Sequence, residues 1–455
     1  AYVRTNGGVV PSKTAQFLPG PYRVPAFACD VQALITNKTP VGTYRGPGRF
    51  EANFCRERLL DLMARDLGID AAEIRRRNLM QPDELPYRIG ELVPGDPDAT
   101  YDAGDYPSAL NRLLDEIGYD DWKDRQGEII DGEAHGLGLA CFIESSAAGP
   151  PETARITANA DGGVEIRVGA SSLGQGTETG MAQICAELLD IDIDRISVAH
   201  GSTTLLPSGG GTFHSRNTVM AGNAVRVAAE AFRDRCLELA ALRWNAAPDT
   251  LRYVDGGVHR KDDTGAAPLK LDDLAAFAAS RDGDGQLSAD GSFSNDGKVS
   301  YSYGAHAALV AVDIATGRIT VKKYALTEEI GRALNPAMLR GQAVGGLVQG
   351  LGGTLLDHMI YDADGQLMTS TLADYLLPTS TDLPEITAIA LEDAPSKLNP
   401  MGFKGAGEGG IVAVAGAVGN AVAHALKDYD LPLTELPLTP VRLRAALAAQ
   451  EKANP

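Results

Sequence analysis

Metal-binding patterns, basic clusters and long apolar runs are all missing from this sequence of 455 residues. The five cysteines lie far apart without a CxxC pair and the seven histidines form no HExxH motif, so no zinc or iron-sulfur site is recognisable. A net charge of -19 would repel a phosphate backbone and argues against nucleic acid as a partner. No apolar run approaches the roughly 20 residues of a membrane-spanning helix. These absences predict a soluble protein in a reducing compartment, and we expect it in the cytoplasm.

Glycine and proline, with 51 and 25 residues, are plentiful and cluster at particular turns. Over residues 51–67 apolar side chains recur at helical spacing, and Gly68 stands where it can end that helix. Asp70 is predicted to cap a second helix, with Glu73 completing a capping-box pattern. The apolar residues at this helical spacing are Phe54, Leu59, Leu60, Met63 and Leu67.

The chain length suggests roughly two to four domains. A stretch rich in Pro, Asp and Gly between about residues 81 and 132 predicts a connection between domains. Further on, residues 154–168 and 306–324 each read as two short strands joined by a turn, and each hairpin leads into a Gly- and Gln-containing helix start. Residues 295–303 are predicted to be a loop before the second hairpin. The order predicts two related halves in a mixed α+β fold.

Glycine-rich loops precede helices at four places in the chain. Glycine lets the backbone approach a ligand closely, and free N-H groups at a helix start favour a phosphate or pyrophosphate. Any single loop of this kind is more often an ordinary chain reversal, and none matches a strict GxGxxG or GxxxxGK[ST] pattern in the required context. Together they predict a large cofactor that carries phosphate.

Polar side chains within these loops are candidates for contact with such a cofactor. The amides of Gln175, Gln342 and Gln349 both donate and accept hydrogen bonds, which suits the edge of a pterin ring or a metal oxo group, although helix capping is the alternative. Glu408 in the KGAGEGG segment has only glycine beside it and precedes an apolar helix. It is a candidate general base; alternatively it is a solvated carboxylate stabilised by the helix dipole.

Five ordered motifs resemble those of molybdenum hydroxylase large subunits, the xanthine dehydrogenase family. They are TYRGPGR at residues 43–49 with the helix pair that follows, LGQGTET, GTFHSRNTVMAGNAV, GQAVGGLVQGLG with DYLLPT, and GFKGAGEGG. The resemblance runs from about residue 1 to residue 447 and corresponds to the C-terminal part of the molybdopterin-binding subunit. It implies multi-layer molybdopterin-binding domains, with the first ending in residues 1–90, a connection over 91–132 and the second domain over 133–455.

The resemblance also implies a mechanism. In this family the dithiolene of a pterin holds molybdenum without a protein ligand, usually in the cytosine dinucleotide form in bacteria. A glutamate takes the proton from the molybdenum hydroxide, which attacks an electron-poor carbon while hydride passes to a sulfido ligand, so the product oxygen comes from water. On the position of the motif, that glutamate is Glu408.

Further site residues follow from the same motifs. The substrate side of the site would include Arg45, Gly46 and Phe213, and a side chain added at Gly46 would project into space that the substrate needs. The residues expected to contact the cofactor are Leu173, Gly174, Gln175, Thr212, Phe213, His214, Ser215, Arg216, Gln342, Gln349, Lys404 and Gly405.

Partners are implied as well. The family passes electrons to a [2Fe-2S] subunit and an FAD subunit. The resemblance does not include the family's N-terminal half with its GGGFG-type loop, so either the large subunit is encoded as two polypeptides or this is a fragment. In both cases we expect a second polypeptide to supply that half. Carbon monoxide dehydrogenases carry a copper-binding cysteine where this chain has Gly46, which disfavours that chemistry. We therefore expect hydroxylation of an N-heteroaromatic compound; the alternatives are an aldehyde oxidoreductase of the same family and a non-catalytic scaffold for cofactor loading.

Overall fold

The computed structural model describes residues 6–206, 208–262, 265–281 and 285–453. Within these ranges no helix is both long and apolar enough to cross a membrane. The helices are α1 Val9–Phe17, α2 Arg49–Leu67, α3 Ala71–Asn78, α4 Tyr106–Ile117, α5 Tyr119–Trp122, α6 Thr177–Leu189, α7 Gly222–Trp244, α8 Leu271–Ala279, α9 Pro336–Leu355, α10 Gly409–Val412, α11 Val414–Ala425 and α12 Pro440–Ala453. The strands are β1 Tyr87–Arg88, β2 Thr100–Tyr101, β3 Ile129–Ile130, β4 Glu133–Ser146, β5 Glu152–Ala158, β6 Val164–Val168, β7 Ile196–Ala199, β8 Leu251–Val254, β9 Gly257–Arg260, β10 Leu269–Lys270, β11 Ser288–Phe293, β12 Ser300–Asp313, β13 Arg318–Glu329 and β14 Glu385–Leu391.

Two sheets repeat the same arrangement of four strands. The first has the order β11-β5-β6-β7 and the second β4-β12-β13-β14, with β3 added beyond β4. In each sheet an antiparallel hairpin is followed by a helix, α6 or α9, and then by a strand that pairs in parallel with the second hairpin strand. The predicted α+β fold with repeated hairpin-loop-helix units is confirmed.

The start of the second hairpin differs from the prediction. Residues 295–303 were expected to form a loop, but β12 already begins at Ser300. Its first residues pair with the far end of β4, where Tyr303 lies opposite Ile143, and Tyr301 and Tyr303 are buried. The partner strand lies about 150 residues earlier in the chain, so local sequence carries no sign of this pairing.

Helices lie on both sheets at van der Waals contact between backbones. A Cβ atom added to Gly138 of β4 would overlap the carbonyl oxygen of Ala417 in α11, and one added to Gly291 of β11 would overlap that of Ala224 in α7. Both helices present alanine to the sheet at these points, so no side chain separates the two backbones. The two halves therefore share a packing device as well as a strand order.

Helix α2 begins with Arg49, the second arginine of TYRGPGR, whose side chain is buried. It begins after Gly48 and ends at Gly68, both in left-handed conformation, which confirms the predicted end of the helix. The Asp70 carboxylate accepts hydrogen bonds from the backbone N-H groups at the start of α3, as predicted. Glu73, predicted to complete a capping box, instead accepts a hydrogen bond from Arg77 at 2.7 Å.

The predicted helix is present, but the buried face of α2 is largely polar. Phe54 is buried, but Leu59, Met63 and Leu67 are exposed. The buried face is polar because its side chains meet backbone carbonyls of the β4 strand: Asn53 donates to the Cys141 oxygen at 2.9 Å. The other buried polar residues of α2 are Arg49, Arg56, Glu57, Arg58 and Asp61. Burial of Arg49, Arg56, Glu57 and Asp61 is tolerated because each is in an ion pair. Arg58 instead donates to Asn420 Oδ1 at 2.8 Å.

Arg75 of α3 anchors this polar face. Its guanidinium is fully buried and donates to Glu57 at 3.0 Å, to Asp61 at 2.9 Å and to the Leu139 carbonyl at 2.9 Å. One side chain thus fixes α2, α3 and β4 relative to one another. Breaking one partner of such a buried group would leave an uncompensated charge, so the direction of α2 is closely determined.

The segment expected to connect two domains is well structured. It contains α4, which the Asp105 side chain caps by accepting a hydrogen bond from the Ser108 N-H at 2.9 Å. The apolar face of α4 packs into the sheet, with Leu110 and Leu113 fully buried. The domain limits themselves remain a prediction.

We predict that Gly138→Ala destabilises the protein by about 1–3 kcal/mol, the usual cost of overpacking, because the methyl group has no room against α11. Urea denaturation followed by circular dichroism measures the change. Gly341→Ala in α9 is the control, since no atom lies within 4 Å of the added Cβ and alanine favours the helix. Equal stability of the two variants would refute the proposed backbone contact.

Candidate active site

Glu408 lies where three of the motif loops meet. It immediately precedes α10, and one carboxylate oxygen accepts a hydrogen bond from the Gly46 N-H at 2.9 Å. The other accepts from the Ser215 hydroxyl at 3.1 Å and from Arg49 Nη2 at 3.2 Å. The side chain keeps 14% of its surface exposed, so a small molecule can reach it. The fold thus brings TYRGPGR, GTFHSRN and KGAGEGG together around one carboxylate.

Arg45 ties its loop to α9. Its Nε donates to the Gly407 carbonyl at 2.7 Å, Nη1 donates to Gln349 Oε1 at 3.0 Å, and Nη2 donates to the Gln342 carbonyl at 2.9 Å and Oε1 at 3.1 Å. All three predicted residues therefore lie together, but the arginine is largely occupied by protein acceptors. Its clearest role is to position the loop beside Glu408.

Gly46 faces the protein interior. Its φ is +65°, a conformation that favours glycine. A Cβ atom there would lie 2.9 Å from Ile411 Cγ2 and 3.6 Å from Val412 Cγ2, both in α10. The expectation that a side chain at Gly46 would enter the substrate space is therefore wrong. What Gly46 offers to the site is its backbone N-H.

The loop before α7 supplies the hydroxyl that meets Glu408. His214 and Ser215 both have positive φ, 55° and 47°. The His214 ring pairs with the Ser145 hydroxyl at 2.9 Å, and burial, with Arg49 nearby, holds the pKa of His214 well below its usual range. The imidazole is therefore neutral at physiological pH. Phe213 is 53% exposed at the front of this loop.

Arg216 holds the same loop from behind. It is fully buried and pairs with Glu152 at 2.8 Å. It also donates to the carbonyl oxygens of Ala148 at 3.1 Å and Gly211 at 2.9 Å. With these donors used inside the protein, Arg216 supports the loop and does not present its charge to a ligand.

A second glycine loop lies beside the first. The Ser171 N-H donates to Thr212 Oγ1 at 3.0 Å, which joins the two loops. Leu173 is 80% exposed, while the Gln175 side chain folds back to donate to the Ser171 carbonyl at 3.3 Å. A Cβ atom at Gly174 would meet nothing within 4 Å. The predicted residues 173–175 and 212 are therefore brought together at an open surface.

Lys404 and Gly405 lie behind Glu408. The Lys404 ammonium is buried and pairs with Glu329 at 2.6 Å, over the ring of Tyr303. The Gly405 N-H donates to the Ser146 hydroxyl at 3.0 Å. Lys404, which was predicted to contact the cofactor, therefore has its charge satisfied within the protein, and both residues support the loop that carries Glu408.

Two buried carboxyl groups near the site were not anticipated. Burial raises the pKa of Glu144 to about 7 and that of Glu328 to about 8. Glu328 packs beneath Gly409, and its Oε1 has no hydrogen-bond partner among the described residues. A carboxylate that interrupts an otherwise apolar strand, as in ACFIESS, is the sequence signal that could have identified Glu144.

The open glycine loops beside the site fit a pterin cofactor that carries phosphate. Among the described residues no group of three or more His, Cys, Asp or Glu is arranged to hold a metal ion. The open backbone at Gly174 and Gly211, where an added Cβ would meet no atom within 4 Å, leaves room for a bulky anionic group. Loops of this kind bind phosphate through backbone N-H groups.

Comparison with known proteins agrees with a site for a pterin cofactor. Two sequence-family models, each described as a molybdopterin cofactor-binding domain, match residues 1–79 and 112–384. The chain belongs to the molybdenum hydroxylase large-subunit family. The resemblance inferred from the five motifs is thereby confirmed, and molybdopterin-binding domains account for both matched regions.

Relatives and solved structures in this family are similar over nearly the whole chain. The chain is 37% identical to the 6-hydroxypseudooxynicotine dehydrogenase complex subunit gamma of Paenarthrobacter nicotinovorans, covering 100% of this chain and 57% of that protein. It is 32% identical to the nicotine 6-hydroxylase large subunit of the same organism, covering 94% and 54%. The crystal structure of quinoline 2-oxidoreductase from Pseudomonas putida 86 superposes with a TM-score of 0.84 at 32% identity, over 97% of this chain and 57% of that one. The chain thus spans little more than half the length of these relatives.

We predict that Gly46→Ala destabilises the protein by at least about 1 kcal/mol more than Gly68→Ala does. Both positions have similar positive φ, +65° and +61°, but only Gly46 has a side chain, that of Ile411, in the way. The backbone strain is therefore similar, and chemical denaturation of the cofactor-free protein isolates the steric cost. If the two variants unfold at the same denaturant concentration, Gly46 does not pack against α10 as described.

Proposed function

We propose that this chain is the catalytic part of a molybdenum hydroxylase that hydroxylates an electron-poor carbon of an N-heteroaromatic compound with oxygen from water. The observation that carries the proposal is the Glu408 carboxylate, partly exposed and oriented by three donors where the family's motif loops meet. The names of the relatives, which refer to nicotine and quinoline, support an N-heteroaromatic substrate.

The cofactor in this proposal is molybdenum with molybdopterin, in the cytosine dinucleotide form. The loops around Gly174 and Gly211 would hold its phosphates through backbone N-H groups, and the amides of Gln342 and Gln349 would face the pterin. When bound, the cofactor supplies the centre for oxygen transfer and takes up two electrons from the substrate. Those electrons would pass to [2Fe-2S] and FAD centres on partner subunits.

Glu408 acts as the general base. Hydroxylation of a C-H bond with water releases two protons and two electrons, so a group near the substrate must accept a proton. The Gly46 N-H donates to one carboxylate oxygen of Glu408 and the Ser215 hydroxyl donates to the other. These two hydrogen bonds hold the side chain of the base in a single orientation. The neutral His214 behind Ser145 adds no competing charge.

Glu408→Gln tests this role in the molybdenum-loaded enzyme. The amide keeps the shape of the side chain but cannot accept a proton, so we expect turnover to fall at least about 10²-fold with molybdenum content unchanged. Steady-state kinetics on pyridines, quinolines, purines and aldehydes, with metal analysis, provides the measurement. Asp272→Asn, an exposed carboxylate at the start of α8, is the control. Near-normal turnover of Glu408→Gln would leave only a role in helix capping.

We further propose that the remaining part of a full-length large subunit covers an apolar surface next to the site. Two extended segments meet there, joined by Thr39 Oγ1 and the Tyr361 hydroxyl at 2.8 Å. Clusters of exposed apolar side chains mark interaction sites, and this chain covers only 57% and 54% of the length of two relatives. The exposed apolar residues of the surface are Val24, Phe27, Val31, Leu34, Ile35, Val41, Tyr44, Met359, Ile360, Met368, Leu372, Leu376 and Leu377.

Charge placed on this surface should block assembly. We expect Leu34→Glu combined with Leu372→Glu to leave the isolated chain folded but to abolish its co-purification with a polypeptide carrying the family's N-terminal half, and with it molybdenum incorporation. Val441→Glu in α12 is the matched control, since Leu34, Leu372 and Val441 are 79%, 77% and 80% exposed. Assembly of the double variant at wild-type yield would show that this surface is not the contact.

A further inference from the structure

A buried ion pair stands directly behind Glu408. Arg49 is 2% exposed and Glu144 is fully buried. Both carboxylate oxygens of Glu144 accept hydrogen bonds from the Arg49 guanidinium, Oε2 from Nε at 2.5 Å and Oε1 from Nη2. The same Nη2 reaches Glu408 Oε2 at the longer distance of 3.2 Å. One cation is thus shared between two carboxylates, and Glu144 holds it more closely.

This sharing affects what Glu408 can do. A carboxylate that alone neutralises a buried arginine is a poor proton acceptor, because protonation would leave the arginine charge uncompensated. When the Glu144 carboxylate is ionised, it pairs with Arg49 through both of its oxygens, so Arg49 keeps a counter-ion when Glu408 takes up a proton. Because Arg49 is paired with Glu144, Arg49 can orient Glu408 without depending on Glu408 as its only counter-ion.

We propose that Glu144 is a positioning residue for the reaction: by neutralising Arg49, it leaves the Glu408 carboxylate free to accept the proton. The inference rests on the function of Glu408 proposed above. It assigns no contact between Glu144 and the substrate or the cofactor, since the carboxylate is buried behind Arg49.

The other charges around the pair are consistent with this role. Lys13 of α1 acts on both carboxylates, but burial, and then Arg49, lower its pKa. Arg45 also faces Glu408, with its hydrogen bonds directed to α9 and the Gly407 carbonyl. Glu328 of β13 is kept neutral at physiological pH, since burial raises its pKa to about 8. Glu144 is therefore the carboxylate placed to offset Arg49.

The two carboxylates are also coupled. Burial is the main cause that raises the pKa of Glu144 to about 7; Arg49 opposes it and the Glu408 charge adds to it. Coupling of this kind is mutual, because the same interaction acts on both groups. Removing the charge of Glu144 should therefore be visible in the pH dependence of the reaction, which a purely structural role would not change.

The test is Glu144→Gln in the complete molybdenum-loaded enzyme. Arg49 then has Glu408 as its main counter-ion, which stabilises the charged base. We expect the acid limb of the kcat/KM profile to move to lower pH by about one unit, as for a carboxyl group next to an arginine. The plateau should fall by up to about 10-fold, because a base weaker by about one pKa unit loses at most that factor. Infrared titration of the carboxyl groups in the cofactor-free protein should show a shift in the same direction.

Three variants make the outcome decisive. Glu133→Gln removes a carboxylate from the far end of the same strand, where it pairs with Lys322, and should leave the profile unchanged. Glu144→Asp keeps the charge and should keep the acid limb near the wild-type pH. The double variant Arg49→Gln with Glu144→Gln leaves neither charge, and its acid limb should lie at or above the wild-type position even where the single variant does not fold.

An unchanged pH profile in Glu144→Gln, or an acid limb of the double variant below that of wild type, would overturn the inference. Glu408→Gln, measured alongside, separates this result from failure of the proposed function. If Glu408→Gln is inactive while Glu144→Gln keeps the wild-type profile, Glu408 remains the base and only the role of Glu144 is wrong. If Glu408→Gln is fully active, the proposed function itself fails.

Discussion

Contact between backbones at glycine is the constraint on which the site depends. Gly138 and Gly291 let α11 and α7 lie directly on their sheets, and Gly346 of α9 meets the Gly410 backbone of α10 in the same way. Because no side chain fills these contacts, the helix starts that carry the motif loops have little freedom to shift. A site that needs Glu408 within hydrogen-bond distance of Gly46 and Ser215 requires this rigidity.

The repeated architecture explains why the loops converge. In each half a parallel strand, β7 or β14, is followed by a long loop and then by a helix packed on the sheet. That helix is α7 in the first half and α11, reached through the short α10, in the second. Ser215 belongs to the first of these loops and Glu408 to the second, and their side chains meet at 3.1 Å. The candidate base therefore lies where equivalent loops of the two halves come together, as expected for ligand sites between packed units.

Buried charge is concentrated around this junction. Arg49, Arg75 and Arg216 each pair with a buried glutamate, and each also fixes elements that are distant in sequence. Ion pairs in an interior are weak evidence for stability because desolvation offsets their attraction. Here they hold polar segments next to the site in defined positions, and one of them contacts the candidate base directly.

Sequence alone identified the features that depend on neighbours in the chain. The end of α2 at Gly68 and the start of α3 at Asp70 follow from capping chemistry. Both hairpins follow from alternating apolar residues and turn residues. Glu408 stands out because glycine flanks it. Tertiary structure decided which face of α2 is buried and that the Cβ position of Gly46 faces Ile411. It also decided that Lys404 pairs with Glu329 and that Glu144 pairs with Arg49. The physical reason is separation along the chain: Arg49 and Glu144 are 95 residues apart, and the energy of a buried charge depends on partners that only the folded chain brings within reach.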